Sequence, residues 1–226
     1  IRPDTYEIIA IKDEARNYLF DQNQDKIGFL ERPITLPQDS IVNFRIFKET
    51  PNLFWARPFF INKNQIGFGY YGEADPRAIQ VKSKVDRNFR YLINKNREMD
   101  TLNFWFRGPD RDSLKVGIKE KDTTKQYTIK FGKVLRDSLV ISPITSQTMG
   151  LLDSFKIESN LPLVKIDLDL IKIKGLDSLP VSFKASLDKN YDMLSLLYEW
   201  LPNDDYKIEL LPNALVDFWG STHDTL

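Results

Sequence analysis

The chain has no cysteine, a single histidine (His223) and equal numbers of acidic and basic residues, 32 of each in 226 residues. Without cysteine there is no disulfide, no thiolate chemistry and no Cys-ligated metal. Balanced charge leaves no electrostatic footprint for nucleic acid or an anionic membrane, because Lys and Arg are spread along the chain rather than massed in a run. No apolar run approaches the ~18 residues needed to span a bilayer as a helix. Glycine-rich phosphate loops, nucleophile elbows and paired-histidine zinc motifs are also missing. There is no signal peptide and no initial Met; Ile1 opens onto "IRPDTYEIIAI", which reads as the interior of a domain in a longer protein.

What the chain does have is period-two alternation. Val42, Phe44 and Ile46 share a face in "IVNFRIF"; Ile66, Phe68 and Tyr70 do so in "QIGFGYY", with Gly67 and Gly69 opposite. Leu102, Phe104 and Phe106 repeat the pattern, as do Tyr127, Ile129 and Phe131. Alternation gives a pleated strand one apolar face, and turn signals such as "INKNQ", "GEADPR", "RGPDRD" and "PNDD" separate the runs. Strands so spaced predict antiparallel sandwiches, not a parallel sheet with crossover helices. In "SLDKNYDMLSLLYEW", Leu187, Tyr191, Leu194 and Tyr198 fall at helical spacing, but "DKN" is a good turn and the run after it suits a buried strand, which is the preferred reading.

Two motifs recur. A tyrosine enters a strand after a polar turn at Tyr6, Tyr127 and Tyr206, where it can bury its ring and hydrogen-bond nearby backbone. Asp followed by Ser or Thr and an apolar residue occurs at Asp100, Asp112, Asp137, Asp153, Asp177 and Asp224, where the carboxylate can close a turn.

The closing segment "LPNDDYKIELLPNALVDFWGSTHDTL", with Leu201, Pro202, Tyr206, Leu215, Asp217 and Gly220, resembles the bacterial Ig-like domains of S-layer and other surface proteins. More narrowly, "LLPNALVDFWGSTHDTL" resembles Bacteroidetes-type envelope proteins, with Asn213 where a Gly usually follows the Pro; Asn also reaches the left-handed region. "TYEIIAIKDEARNYLFDQNQDKIGFLERPI" looks like the end of a prealbumin-like or Cna-B-like sandwich. The resemblance implies an exported, lipid-anchored protein of serial β domains at the cell envelope, in contact with its own neighbouring domains and with an envelope protein or glycan. The expected architecture is all-β: tandem antiparallel β-sandwiches, the last Ig-like. Residues 1–36 would be terminal strands of a preceding sandwich, 37–147 a middle sandwich, and 148–226 the Ig-like domain, its last strand cut short at Leu226.

Candidate chemistry is sparse. Asp13, Asn17, Asp21 and Asp25 suggest a calcium loop, but Ala15 and Tyr18 stand where a ligand and a turn glycine are needed. A hairpin turn whose side chains cap backbone donors is the competing reading. Ser221, His223 and Asp224 are too close in sequence to align as a triad, which leaves His223 an exposed loop residue. Asp167 and Asp169 in "KIDLDL" would share a strand face with Lys165, as a solvated outer face or a glycosidase pair. Trp55, Trp105, Trp200 and Trp219 either form a sugar platform or fill interfaces between domains. No catalytic, cofactor-binding or metal residue is assigned. The expected function is a non-catalytic structural or adhesive envelope module; a carbohydrate-binding module using exposed Trp is the alternative, and a glycoside-acting enzyme comes third.

Overall fold

The computed structural model describes residues 2–37, 42–145, 148–175 and 181–224. Among these, the regular structure is all-β, with antiparallel strand pairs and two 3-10 turns. The Asp-Ser step at Asp177 and the chain end at Leu226 lie outside the described residues.

The first segment holds β1 (Thr5–Tyr6), β2 (Ile9–Lys12), β3 (Lys26–Phe29) and β4 (Ile34–Thr35). β1 pairs with β4 and β2 with β3. The Tyr6 hydroxyl donates to the Arg2 carbonyl at 2.8 Å, fixing the entry into β1 as the tyrosine motif predicts. Residues 42–47 do not form a strand. Only Phe47 bridges, to Ile27, because alternation supplies a face but no partner for the remaining backbone groups.

Next come β5 (Phe54–Trp55), β6 (Phe59–Asn62), β7 (Gln65–Tyr71), β8 (Ile79–Val81), β9 (Arg90–Lys95), β10 (Thr101–Arg107), β11 (Ser113–Glu120) and β12 (Thr123–Lys130). β5, β7, β10 and β9 are ordered in one sheet, with β6 also on β7, and β12, β11 and β8 make a second. The alternating residues meet between them. Ile66, Phe68, Leu102, Phe104 and Phe106 of the first sheet pack with Leu114, Val116, Ile118 and Ile129 of the second. Burying each such side chain contributes about 1.5–3 kcal/mol. Gly67 has a packing role on the opposite face: a Cβ there would lie 2.5 Å from the Phe59 ring.

The last sandwich comprises β13 (Ile141–Pro143), β14 (Phe155–Ser159), β15 (Leu163–Ile166), β16 (Ile171–Lys174), β17 (Lys184–Leu187), β18 (Met193–Leu197), β19 (Lys207–Leu210) and β20 (Leu215–Asp217). The sheet β13-β14-β18-β17 faces the pairs β16-β19 and β15-β20 across a core of Ile157, Leu194, Leu196, Ile171, Ile173, Leu210 and Leu215. Its first sheet begins before residue 148, since Ile141–Pro143 pair with β14. The stretch with helical spacing is a hairpin: Asp188 Oδ1 accepts from the Asp192 and Met193 amides, and β18 follows. Asn213 takes φ 71°, the left-handed conformation expected of it. The Tyr206 hydroxyl accepts from the Leu201 amide at 3.0 Å. Burial raises the Tyr206 pKa, and the neighbouring Asp204 adds to that shift.

Candidate functional site

In the loop between β2 and β3, acidic side chains cap backbone amides. Asp25 is fully buried; its Oδ1 accepts from Glu14 N at 3.0 Å and its Oδ2 from Asp21 N at 2.8 Å. Asp13 Oδ2 accepts from Tyr18 N, Asn17 Oδ1 from Leu19 N, and Asp21 Oδ1 from Asn23 N. Asp13 Oδ1 is buried without a partner. Among the described residues no group of three or more His, Cys, Asp or Glu is placed to hold a metal ion. The four residues therefore brace a loop. Asp25→Ala is expected to leave two amides unpaired at about 1–3 kcal/mol each, speeding exchange at Glu14 and Asp21 by about 10-fold or more while the sandwiches melt within ~2 °C of wild type. Hydrogen exchange and thermal unfolding together check this, and unchanged exchange at both amides would refute the bracing.

His223 is buried rather than exposed. Leu215 N–H donates to its Nε2 at 3.3 Å, which puts the ring proton on Nδ1, facing the Asp224 carbonyl. Both ring nitrogens are thus engaged by backbone, and Ser221 uses its amide to donate to Asp217 Oδ1. Asp167 and Asp169 do not share a strand face either. β15 stops at Ile166, opposite Leu215, and Asp167 precedes a 3-10 turn over Leu168–Leu170. The ladder ends because β20 begins only at Leu215; Asp167 N donates instead to the Ala214 carbonyl.

Trp55, Trp105 and Trp200 are buried, and Trp219 is half-buried. Trp105 sits on the face of β10 opposite the middle core, and there it meets the last sandwich: Trp105, Leu161 and Phe218 pack with Leu92, Leu139 and Trp219. The Trp105 and Trp219 rings are edge to face at 5.8 Å. Trp219 Nε1 donates to the Phe106 carbonyl, and the guanidinium carbons of Arg136 and Arg107 lie 4.8 and 5.3 Å from the Trp219 and Phe218 rings. Aromatic pairs and cation–π contacts of this kind add about 0.5–1.5 kcal/mol each to area burial.

Polar groups ring this apolar patch. Asn94 Oδ1 accepts from Trp105 Nε1 at 2.7 Å, and its Nδ2 donates to the Asn190 carbonyl of the β17–β18 turn at 2.8 Å. Arg97 reaches across to Asp188 and Asp192 at 2.6 and 2.5 Å, with Glu158 at 3.9 Å. Burial raises the Asp192 pKa and wins over Arg97, which lowers it; the like charges of Asp188 and Glu158 push the same way as burial. Beside the cluster lies a polar cavity of about 170 Å³, walled by Asn94, Asn103, Asn160 and Trp105 among others. Arg97, Asp188 and Asp192 carried no signal in the sequence, since an arginine and a hairpin turn 91 residues apart become partners only through docking of the two sandwiches.

A larger groove, about 700 Å³, lies at the other pole of the last sandwich. β14 runs from Phe155 in the groove wall toward Leu161 in the junction, and β18 runs from the junction toward Trp200. Met149, Leu151, Phe155, Trp200 and Leu201 supply apolar wall, and Asp204 and Asp205 are the only charged residues lining it among those described.

Set against known proteins, the chain matches no family model, no curated protein and no solved structure.

Proposed function

We propose that this chain is a non-catalytic structural and adhesive module of a cell-envelope protein, in which two sandwiches are fused into a stiff spacer that presents neighbouring parts to a protein or glycan partner. The observation that carries this reading is the junction. Domains joined by small polar interfaces move freely by default. Here an aromatic cluster, a buried asparagine bridging two elements and a trivalent set of carboxylates on one arginine all span the same boundary. Such an interface has a use in a spacer, where orientation must be transmitted, and little in two independent binding units. Placement at the envelope rests on the likeness of the closing segment to surface-protein domains. Burial of Trp55 and Trp105 favours this reading over a sugar-binding one, because a ring covered by its own chain offers no open face to a pyranose.

The test is ¹⁵N relaxation on the whole chain. Residues 54–131 and 141–224 are expected to share a single rotational correlation time. Two distinct times, each that of a lone sandwich, would overturn the spacer reading.

A further inference from the structure

Charge does not balance across the junction. Arg97, in the turn after β9, faces Asp192 at 2.5 Å, Asp188 at 2.6 Å and Glu158 at 3.9 Å, all from the last sandwich. Glu98 walls the polar cavity beside them, and Arg97 is the only basic residue lining that cavity among those described. No second cation makes up the deficit. Lys95 of β9 lies 3.9 Å from Asp100. Lys189 of the hairpin and Lys156 of β14 are exposed, with no ion-pair partner among the described residues.

The three carboxylates on Arg97 are not equivalent. Asp188 has both oxygens occupied: Oδ1 accepts from the Asp192 and Met193 amides, and Oδ2 from Arg97 Nη2. The Glu158 side chain is 45% exposed, so water solvates it. The Asp192 side chain is only 15% exposed, and Arg97 Nε and Nη2 both donate to its Oδ1, at 3.0 and 2.5 Å, which leaves Oδ2 to take a proton. Desolvating a carboxylate can cost more than a shared cation returns, and carboxylates crowded on one site favour protonation of one of them. Both effects act on Asp192: burial and the charges of Asp188 and Glu158 raise its pKa against the pull of Arg97. Arg97 itself stays charged, because its bonds to Asp192 and Asp188 outweigh its own burial.

We propose that the junction is a proton-operated latch: as pH falls from neutral, Asp192 takes a proton from solvent on Oδ2, Arg97 keeps Asp188 and Glu158, and the two sandwiches hold each other more tightly. A conventional ion pair would do the reverse and weaken on losing a charge. Docked, Asp192 binds its proton more tightly than when free in water, where the value for Asp is about 3.9. Protons therefore favour docking: the gain is absent at alkaline pH, appears as pH falls through the docked value and is complete below the free one. The latch rests on the spacer reading, since it regulates the contact that stiffens the chain. A chain that tumbles as two bodies at every pH would remove both, whereas one stiff body whose junction ignores pH would remove the latch alone.

Calorimetry and hydrogen exchange on the whole chain test it, with Asp192→Asn as a permanent mimic of the protonated form. At about pH 7.5 this variant is expected to melt about 2–4 °C above wild type, and the gap to narrow by more than half at about pH 4, where wild type carries the proton itself. The Lys95 amide donates to Asn190 Oδ1 across the junction at 3.3 Å and reports on docking directly. Its exchange at about pH 7.5 is expected to be about 5-fold slower in the variant, with the difference shrinking in step with the melting gap. Arg97→Gln leaves the carboxylates without their cation; it is expected to melt about 4 °C or more below wild type at about pH 7.5 and to recover part of that loss at about pH 4. An Asp192→Asn chain that melts below wild type at neutral pH, a gap that does not change with pH, or a Lys95 amide that exchanges alike in both chains would each defeat the latch.

Discussion

Replacing Trp105 with alanine is expected to lower the thermal midpoint by about 6–20 °C and to let the two sandwiches tumble separately. The size follows from three losses. Truncating a buried tryptophan costs about 3–5 kcal/mol in lost transfer energy and cavity. For a chain of this length each kcal/mol moves the midpoint by about 2–4 °C. Trp105 is only 5% exposed, it packs edge to face with Trp219, and its Nε1 is the donor to Asn94 Oδ1, which would be left buried and unpaired. Trp105→Phe separates the terms, since it keeps an aromatic filler and loses the donor; about 1–3 kcal/mol is expected for it. Differential scanning calorimetry together with relaxation measurements decides. A Trp105→Ala chain that melts within ~2 °C of wild type as one tumbling body would show that the patch is incidental.

The second large effect is at Asp217. This carboxylate is fully buried, and its Oδ1 accepts from the Trp219 amide at 2.8 Å and the Ser221 amide at 2.7 Å. Those bonds, with the Asp217 amide on the Ser221 carbonyl and Gly220 at φ 93°, shape the turn that carries Phe218 and Trp219 into the junction. Asp217→Ala leaves two turn amides without an acceptor, at a cost of about 2–5 kcal/mol, because bonds to a charged acceptor are worth more than neutral ones. Asp217→Asn retains Oδ1 and replaces Oδ2, which is buried with no partner; the neutral amide is cheaper to desolvate, so less than half of the alanine loss is expected. Calorimetry with Trp219 fluorescence reads both stability and turn shape. An alanine variant as stable as wild type would remove the carboxylate from any role in the junction.

These expectations bear on how far the chain could be read in advance. Where a run alternated and a partner run of equal length lay nearby, the reading held: Ile66–Tyr70, Leu102–Phe106 and Tyr127–Phe131 all turn their apolar side into the middle core. The Asp188–Asp192 turn and the Tyr6 and Tyr206 hydroxyl bonds are local chemistry, and local chemistry is legible. Residues 42–47 have the same alternation and form one bridge, because a strand is completed by its neighbour and the neighbour is set by the fold. Asp167 and Asp169 failed for the related reason that β20 starts too late to extend the ladder past Ile166.

For the sites, the sequence could name the tryptophans but not their surroundings. Trp105 was visibly on the face opposite Phe104 and Phe106; whether that face met sugar, solvent or another sandwich depended on Phe218 and Trp219, more than 110 residues away. His223 looked like an exposed loop residue because nothing near it in sequence foretells the amide of Leu215 donating to its ring. The groove is assembled from residues 143–145, 148–155 and 200–208, which meet only when β13, β14 and β19 line up at one pole. By itself, then, the sequence determined the class of fold, the inward side of its longest strands and the caps of its turns, since each depends on residues within a few positions of one another. Tertiary structure alone decided which sandwich faces meet, which histidine and carboxylates are buried and where a concave surface remains. Those outcomes are set by contacts between segments whose separation along the chain carries no periodic signal.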